Sequence, residues 1–397
     1  VAASIVRWKS SAPRRHSFPN YQEDIMTAIA SPILNDNPFK LGFFSPNCSG
    51  GLAVTQIPER WNNSWDNNLK LARMADEAGI EFLMPIARWI GYGGNTNFHG
   101  SVLETMTWAA GLLASTKRIS VFATLHTAFN HPVVSAKQMA TIDQIGHGRA
   151  GLNVVCGWNK PEYEALGINM ADDHDTRYRF GQEWLDIVQK LWTETEPFDW
   201  NGEFYQLKNT YSLPLPAAPK VPLLNAAGSK HGREFAIRNA DFLFTPTLDL
   251  KRTTVEVAEL KEQAKAAGRK VDMVTFSYVV CRPTQAEAEA FHEHYSQTHA
   301  DWSAVDNIIR LMFAHAESFP KDMIKLLRDR IAAGHGGFPL VGTPDMVADG
   351  IQQLHEAGLA GTTLAFVDYI KEFPYFRDEV LPRLEARGLR KPFKIAT

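Results

Sequence analysis

The chain has 397 residues, 45% of them apolar, and 41 Lys and Arg stand against 44 Asp and Glu for a formal charge of −3. That apolar content supports a sizeable buried core and excludes a disordered or collagen-like chain, while so small a net charge offers no field for nucleic acid or an anionic membrane. No apolar run approaches the roughly 20 residues of a membrane helix, and three widely spaced cysteines, Cys48, Cys156 and Cys281, read as free thiols of a reducing, cytoplasmic setting.

The first 25 residues carry four basic side chains before any acid and show no apolar periodicity. Residues 1–38 therefore read as an N-terminal extension, flexible or expression-derived, with Met26 as a natural start; a basic, Ser-containing opening also suits an organelle transit peptide, although it lacks a clear amphipathic helix. A strand is expected at 40–46, and Leu71, Met74, Ala75 and Ala78 then repeat at helical spacing until Gly79 stops the helix. The next strand is 81–87, followed by a helix opened by a capping box of Ser101 and Glu104. Residues 119–125 lead to a helix after Pro132, and 150–156 lead through a long loop to a helix from about Arg177 to Trp192. Four more strands are expected at 222–228, 240–247, 273–281 and 362–368, each with helical sequence after it, the one after 273–281 capped by Thr284 and Glu287. Eight strictly alternating units predict an α/β fold of (β/α)8 TIM-barrel type, with its chemistry on the loops after the strand C-termini.

Two stretches exceed the bare repeat. Residues 198–207 flank Asn201-Gly202 with aromatic runs and predict a small hairpin with a type I′ turn. Residues 293–343 form a partly helical insertion ending in Gly334, Gly336 and Gly337, which reads as a lid over the site or as a fixed excursion.

No nucleophile or metal set stands out. The His-rich 292–299 lacks the His-Glu-x-x-His pattern and reads as a solvated helix, and the glycines of 91–100 lack the Lys-Ser/Thr ending of a nucleotide loop. Polar residues gather instead at strand ends: Arg88, Thr124, His126, Asn153 and Gly228-Ser229. Ser229 at a helix N-terminus suits a phosphate or serves as a simple N-cap. Arg177 and Tyr178 are placed to add contacts to that group, with an ion pair from Arg177 to Asp172, Asp173 or Asp175 as the alternative.

The order of segments 43–52, 91–94, 138–168, 172–180, 198–207 and 226–229 resembles the bacterial-luciferase-like flavin monooxygenases, in the branch of the pyrimidine, dimethyl sulfone and alkanesulfonate monooxygenases. The likeness runs from about Phe39 to the C-terminus and implies the same barrel. It further implies a two-component oxidoreductase in which a separate NAD(P)H-dependent flavin reductase supplies reduced FMN, and O2 is used to oxygenate a small organic substrate, either a pyrimidine-like heterocycle or an organosulfur compound. A homo-oligomer is expected. By the resemblance, Asn153, Glu162, Arg177, Tyr178 and Ser229 contact the flavin, the last three toward its phosphate, while Ala87 and Arg88 replace an Ile-Lys pair. Thr124 and Asn153 take the oxygen-side role. His126, taken to titrate near its ordinary pKa, is a candidate for proton transfer or substrate orientation, or a packed core histidine. A deazaflavin-dependent dehydrogenase and a non-catalytic flavin binder remain alternatives on the same barrel. A barrel hydrolase is disfavoured, since neither paired carboxylates nor metal ligands are apparent.

Overall fold

The computed structural model describes residues 31–171, 173–312 and 321–393. Its strands are β1 (Lys40–Phe44), β2 (Phe82–Met84), β3 (Ser120–His126), β4 (Ala150–Val155), β5 (Phe198–Asn201), β6 (Gln206–Thr210), β7 (Leu223–Ala226), β8 (Phe242–Phe244), β9 (Asp272–Cys281), β10 (Phe338–Gly342) and β11 (Gly361–Ala365). Eight of them pair in parallel in the order β1-β2-β3-β4-β7-β8-β9-β11, and β11 returns to β1, so the sheet closes into the expected barrel. Near-continuous apolar runs make this possible, because every barrel strand is buried on both faces, by helices outside and by side chains within.

Residues paired across parallel strands point to the same face, so the register fixes what fills the interior. Gly42 opposes Phe82 and Gly151 opposes Phe122; a Cβ on either glycine would stand 2.6 Å from the facing ring. The glycines thus make room for Phe82 and Phe122, which meet edge to face at 6.0 Å inside the barrel. The next residues up on that inward face include Phe44, Thr124 and Asn153, which brings the site onto the top of this layer.

Helices α1 (Trp65–Glu77), α2 (Thr105–Ser115), α3 (Pro132–Ile145), α4 (Lys160–Ala165), α5 (His174–Leu191), α6 (Lys230–Asn239), α7 (Leu250–Ala266), α8 (Gln285–Glu293), α9 (Trp302–Met312), α10 (Lys321–Gly334), α11 (Pro344–Glu356) and α12 (Tyr369–Ala386) follow the strands. Helix α3 starts on Pro132, and the reciprocal Thr284–Glu287 capping box opens α8. The expected box at Ser101 is not formed: α2 begins at Thr105, capped by the Glu104 carboxylate, which accepts from the Met106 and Thr107 amides at 2.9 and 2.8 Å. Ser101 is engaged earlier, where its amide donates to Ser49 Oγ and its carbonyl accepts from Ser49 N.

The 198–207 hairpin is present as β5 and β6, yet its turn is not the two-residue one. Asn201 pairs with Gln206, and Gly202 N donates to Tyr205 O, so the loop is 202–205 and neither Asn201 nor Gly202 has the positive φ a type I′ turn requires. Glu183 on α5 overrides the local preference by accepting from Phe204 N, Tyr205 N and Trp200 Nε1 at 2.9–3.0 Å.

The insertion holds a short π-helix (His294–Thr298), α9, α10 and the unforeseen strand β10. Strand β9 pairs with β8 at Asp272–Val274 and with β10 at Ser277–Cys281, so the insertion takes over one edge of β9 exactly where the barrel wall ends. It is anchored there by Val54 N to Ala332 O, Thr96 to Asp301, and Arg330 to Thr247 O. Residues 313–320, inside the expected lid, lie outside the described residues.

Of the expected extension, 1–30 lie outside the described residues, and 31–38 run across the N-terminal ends of the strands. There Ser31 Oγ meets Ser120 Oγ at 2.7 Å, Ile33 is fully buried and Asn37 donates to Glu81. Cys48, Cys156 and Cys281 are all free and buried. Among the described residues no helix is long and apolar enough to cross a membrane.

Candidate active site

The nominated residues converge on the C-terminal rim in two groups. The first joins β2, β3 and β4. Register sets Thr124 beside Asn153, whose Nδ2 donates to Thr124 Oγ1 at 3.2 Å; that hydroxyl in turn donates to Pro85 O at 2.7 Å. Both side chains are 4% exposed, and Asn153 Oδ1 has no partner among the described residues. The Thr124 proton is therefore committed to the backbone, which makes Thr124 a support for the Asn153 amide rather than a free donor.

Next to them Arg88 forms a buried ion pair with Glu162 of α4, Nη1 to Oε1 at 3.1 Å, with the two side chains 5% and 0% exposed. The same Oε1 accepts from Trp89 N at 2.9 Å, and Arg88 Nη2 donates to the Tyr92 hydroxyl at 2.7 Å. Arg88 Nε and Glu162 Oε2 have no partner among the described residues. Short helix α4, within the long loop after β4, is what delivers Glu162 to this pair.

His126, at the end of β3, stacks on Phe129 with centroids 4.8 Å apart. Its expected ordinary titration does not hold: burial first, and the Arg88 charge second, push its pKa down to about 3, against the Ala87 backbone, which favours its proton. His126 is a neutral imidazole at physiological pH.

The second group surrounds the start of α6. Ser229 is its N-cap, accepting from Gly232 N at 3.2 Å, and its side chain also bonds Tyr178. Burial holds the Tyr178 phenol above its usual range, so it stays a neutral donor. Arg177 is buried and donates through Nη1 to Ala171 O at 2.5 Å. Of its alternative acidic partners, Asp173 caps Thr176 N and Asp175 pairs with Arg179 at 3.0 Å, while Asp172 lies outside the described residues. The groups are linked through Phe129 on Tyr163, Tyr163 to Cys156 O, and Cys156 beside Arg177. Burial pushes the Cys156 thiol up to about 12, so no thiolate nucleophile forms there.

These residues fit the flavin that the resemblance implies. A Cβ on Gly228 would meet nothing within 4 Å, so a phosphate can approach the backbone at the N-terminus of α6. At the other group, the unpartnered Asn153 Oδ1 and Glu162 Oε2 are buried acceptors suited to ring N–H groups. Across the mouth, Phe44, Phe244 and Phe276 pack at 5.0–5.9 Å and make the rest of the floor apolar.

Sequence reasoning missed Tyr92, His99 and His335. His335, at the glycine-rich end of the insertion, stands 5.6 Å from His99 of the 91–100 segment, ring centre to ring centre, and Tyr92 accepts from Arg88; no local pattern pairs these two segments. A usable signal was present: Phe-His-Gly and Gly-His-Gly frame His99 and His335, and both take the positive φ (56° and 55°) that a following glycine helps accommodate.

The sequence profile of luciferase-like monooxygenases matches residues 39–361. The chain is 31% identical to an FMNH2-dependent dimethylsulfone monooxygenase of Pseudomonas putida over 352 residues, 87% of this chain and 95% of that protein. It is 30% identical to the pyrimidine monooxygenase RutA of Yersinia enterocolitica over 355 residues, 88% and 96% of the two chains. Among solved structures, a riboflavin lyase (RcaE) crystallised with modified FMN and riboflavin superposes with a TM-score of 0.79 at 22% identity, over 90% of this chain and 94% of that one, which speaks for the fold.

Proposed function

The chain belongs to the luciferase-like monooxygenase family, and from that premise we propose that it is an FMNH2-dependent monooxygenase, fed by a separate NAD(P)H-dependent flavin reductase and acting on a small organic molecule. The observation that carries this reading is the pair of rim groups: buried unpartnered acceptors on Asn153 and Glu162 at one end, and the open N-terminus of α6 with Ser229 and Tyr178 at the other. When bound, reduced FMN supplies two electrons, so that one atom of O2 enters the substrate and the other leaves as water.

The chain's own residues do the rest. Ser229, Tyr178, Arg177 and the first amides of α6 bind the phosphate; Asn153, Glu162 and the Ala87-Arg88 backbone orient the ring edge. Thr124 holds the Asn153 amide in place. His126, being neutral, orients substrate as a hydrogen-bonding imidazole and is no reservoir of an acidic proton. The insertion and the three-phenylalanine floor keep water out, which oxygen chemistry on a reduced flavin requires.

The test is a coupled assay with and without a flavin reductase, following oxygen uptake and product mass for uracil, dimethyl sulfone, alkanesulfonates and halogenated aromatics. Reductase-dependent incorporation of one oxygen atom into a substrate is expected. Rapid NADH oxidation by the protein and FMN alone, or turnover with a deazaflavin and no oxygen uptake, would overturn it.

A further inference from the structure

Behind the Arg88–Glu162 pair lies a second set of enclosed polar atoms that the flavin contacts do not use. His99 is 1% exposed and stacks on Phe98 at 4.0 Å; His335, from the insertion, stands 5.6 Å from His99 and 5.7 Å from Tyr92, centroid to centroid. Tyr92 is bound by Arg88, whose guanidinium also lies 4.6 Å from its ring centre. Three side chains here carry an enclosed nitrogen with no partner among the described residues: Nδ1 of His99, Nδ1 of His335 and Nε of Arg88. What sets these three apart from single unpartnered atoms elsewhere is that their side chains lie in one cluster around Tyr92, where one polar molecule could satisfy more than one of them.

We propose that Arg88, Tyr92, His99 and His335 form a subsite for an uncharged substrate that carries both a hydrogen-bond donor and an acceptor, such as a cyclic amide, and that the insertion completes this subsite by contributing His335. Charge decides the first part. The Arg88 cation is already matched by Glu162, so an anion would be set beside a buried carboxylate, and a cation would face the guanidinium. The imidazoles add no charge, since burial, together with the nearby charge of Arg88, lowers the pKa of both, that of His335 to about 3.

Donor and acceptor bookkeeping decides the second part. His99 Nε2 lies 2.6 Å from Gly51 O, a carbonyl that can only accept, so Nε2 carries the proton and Nδ1 presents a lone pair. Arg88 Nε can only donate. A ligand satisfying both must supply an N–H or O–H together with a carbonyl-type oxygen; a sulfone, with acceptors alone, would leave His99 unsatisfied. This deepens the proposed function and rests on it for taking the barrel rim as the substrate's place.

The experiment uses the full chain loaded with FMN and titrates it with uracil, dimethyl sulfone and methanesulfonate while the imidazole 15N resonances of His99 and His335 are followed by NMR. Uracil is expected to shift both resonances saturably, dimethyl sulfone to bind more weakly, and methanesulfonate to leave them unmoved. His335→Ala should weaken uracil binding by about tenfold or more, with FMN affinity within about twofold, and His335→Asn, which tolerates the same positive φ and keeps polar atoms, should recover most of it. Methanesulfonate or dimethyl sulfone binding as tightly as uracil, no probe moving either imidazole, or His335→Ala binding uracil like the wild type would each overturn the subsite. Oxygen uptake is measured alongside: if no substrate is oxygenated yet uracil still shifts both imidazoles, the oxygenase reading falls and the subsite stands.

Discussion

Thr124 and His126 lie two residues apart on one face of β3, and the structure gives them different work from the one their residue types advertise. The Thr124 hydroxyl spends its proton on Pro85 O and its lone pair on Asn153 Nδ2, so Thr124→Val leaves a buried carbonyl unpaired and frees the Asn153 amide to rotate. A loss of about 1–3 kcal/mol in urea unfolding is expected, with a fall in kcat, while Thr124→Ser keeps both bonds and stays near wild type. A Val variant as stable and active as the wild type would mean that Asn153 needs no such support. His126 contributes a pH dependence of definite sign. Its pKa is about 6.5 unfolded and about 3 folded, so the unfolded chain binds the extra proton as pH falls below 6.5. Its stabilising effect is complete above 6.5 and is lost toward pH 3, at up to about 1.4 kcal/mol per pH unit. His126→Gln should therefore flatten the decline of unfolding free energy between pH 6.5 and 4.5 by up to one proton, and an unchanged slope would show that His126 titrates normally.

At the level of elements, what was legible in the sequence was whatever local chemistry decides. The eight strand runs, Pro132 at the start of α3 and the Thr284–Glu287 box are local signals, and each appears where its pattern lies. The failures share a cause: a tertiary partner outbids the local preference. Glu183 recasts the Asn201-Gly202 turn, and Ser49 holds Ser101 away from the cap of α2. Strand β10 was missed because only the overhang of β9 gives its five residues a partner. The site was legible where residues sit on strand ends and illegible where loops far apart in sequence meet, as at His99 and His335. Segment 138–168, one of those that carry the resemblance, divides in this way. Its Arg149 donates to the carbonyls of Gly146, Ile119, Leu113 and Thr116, and its Asp143 accepts from the Ala150 and Ala218 amides, which ties strand starts together, whereas Asn153 and Glu162 reach the site. The cap of α2 offers a direct check, because both candidate residues are available. Glu104→Ala should cost about 0.5–2 kcal/mol through loss of the two amide bonds, and Ser101→Ala, which leaves the helix cap intact, should cost less. Equal denaturation midpoints for the two variants would contradict the Glu104 cap.

Across the whole molecule, the layer that closes the barrel is also the floor that positions the chemistry, so packing and activity should fail together when it is disturbed. Phe122 is fully buried, lies edge to face with Phe82 and fills the space that Gly151 leaves open on the neighbouring strand. Gly151 has ordinary backbone angles, so a side chain there is opposed by sterics alone. Gly151→Ala would bring a Cβ to 2.6 Å from a ring that cannot swing into solvent, and overpacking of this kind costs about 1–3 kcal/mol. Asn153 is two residues further along β4 and Thr124 two residues beyond Phe122 on β3, so any separation of the two strands also stretches the Asn153–Thr124 bond. Gly151→Ala is therefore expected to lower both the unfolding midpoint and kcat, although it touches no ligand. Shortening the opposing ring relieves the clash: in Gly151→Ala with Phe122→Leu, the combined destabilisation should be smaller than the sum of the two single changes by about 0.5–3 kcal/mol, the range for residues in direct contact. The double variant should regain part of the lost kcat as the strands return to register. Strict additivity in urea denaturation would mean that Gly151 and Phe122 do not share this space and that the floor of the site is set by another layer.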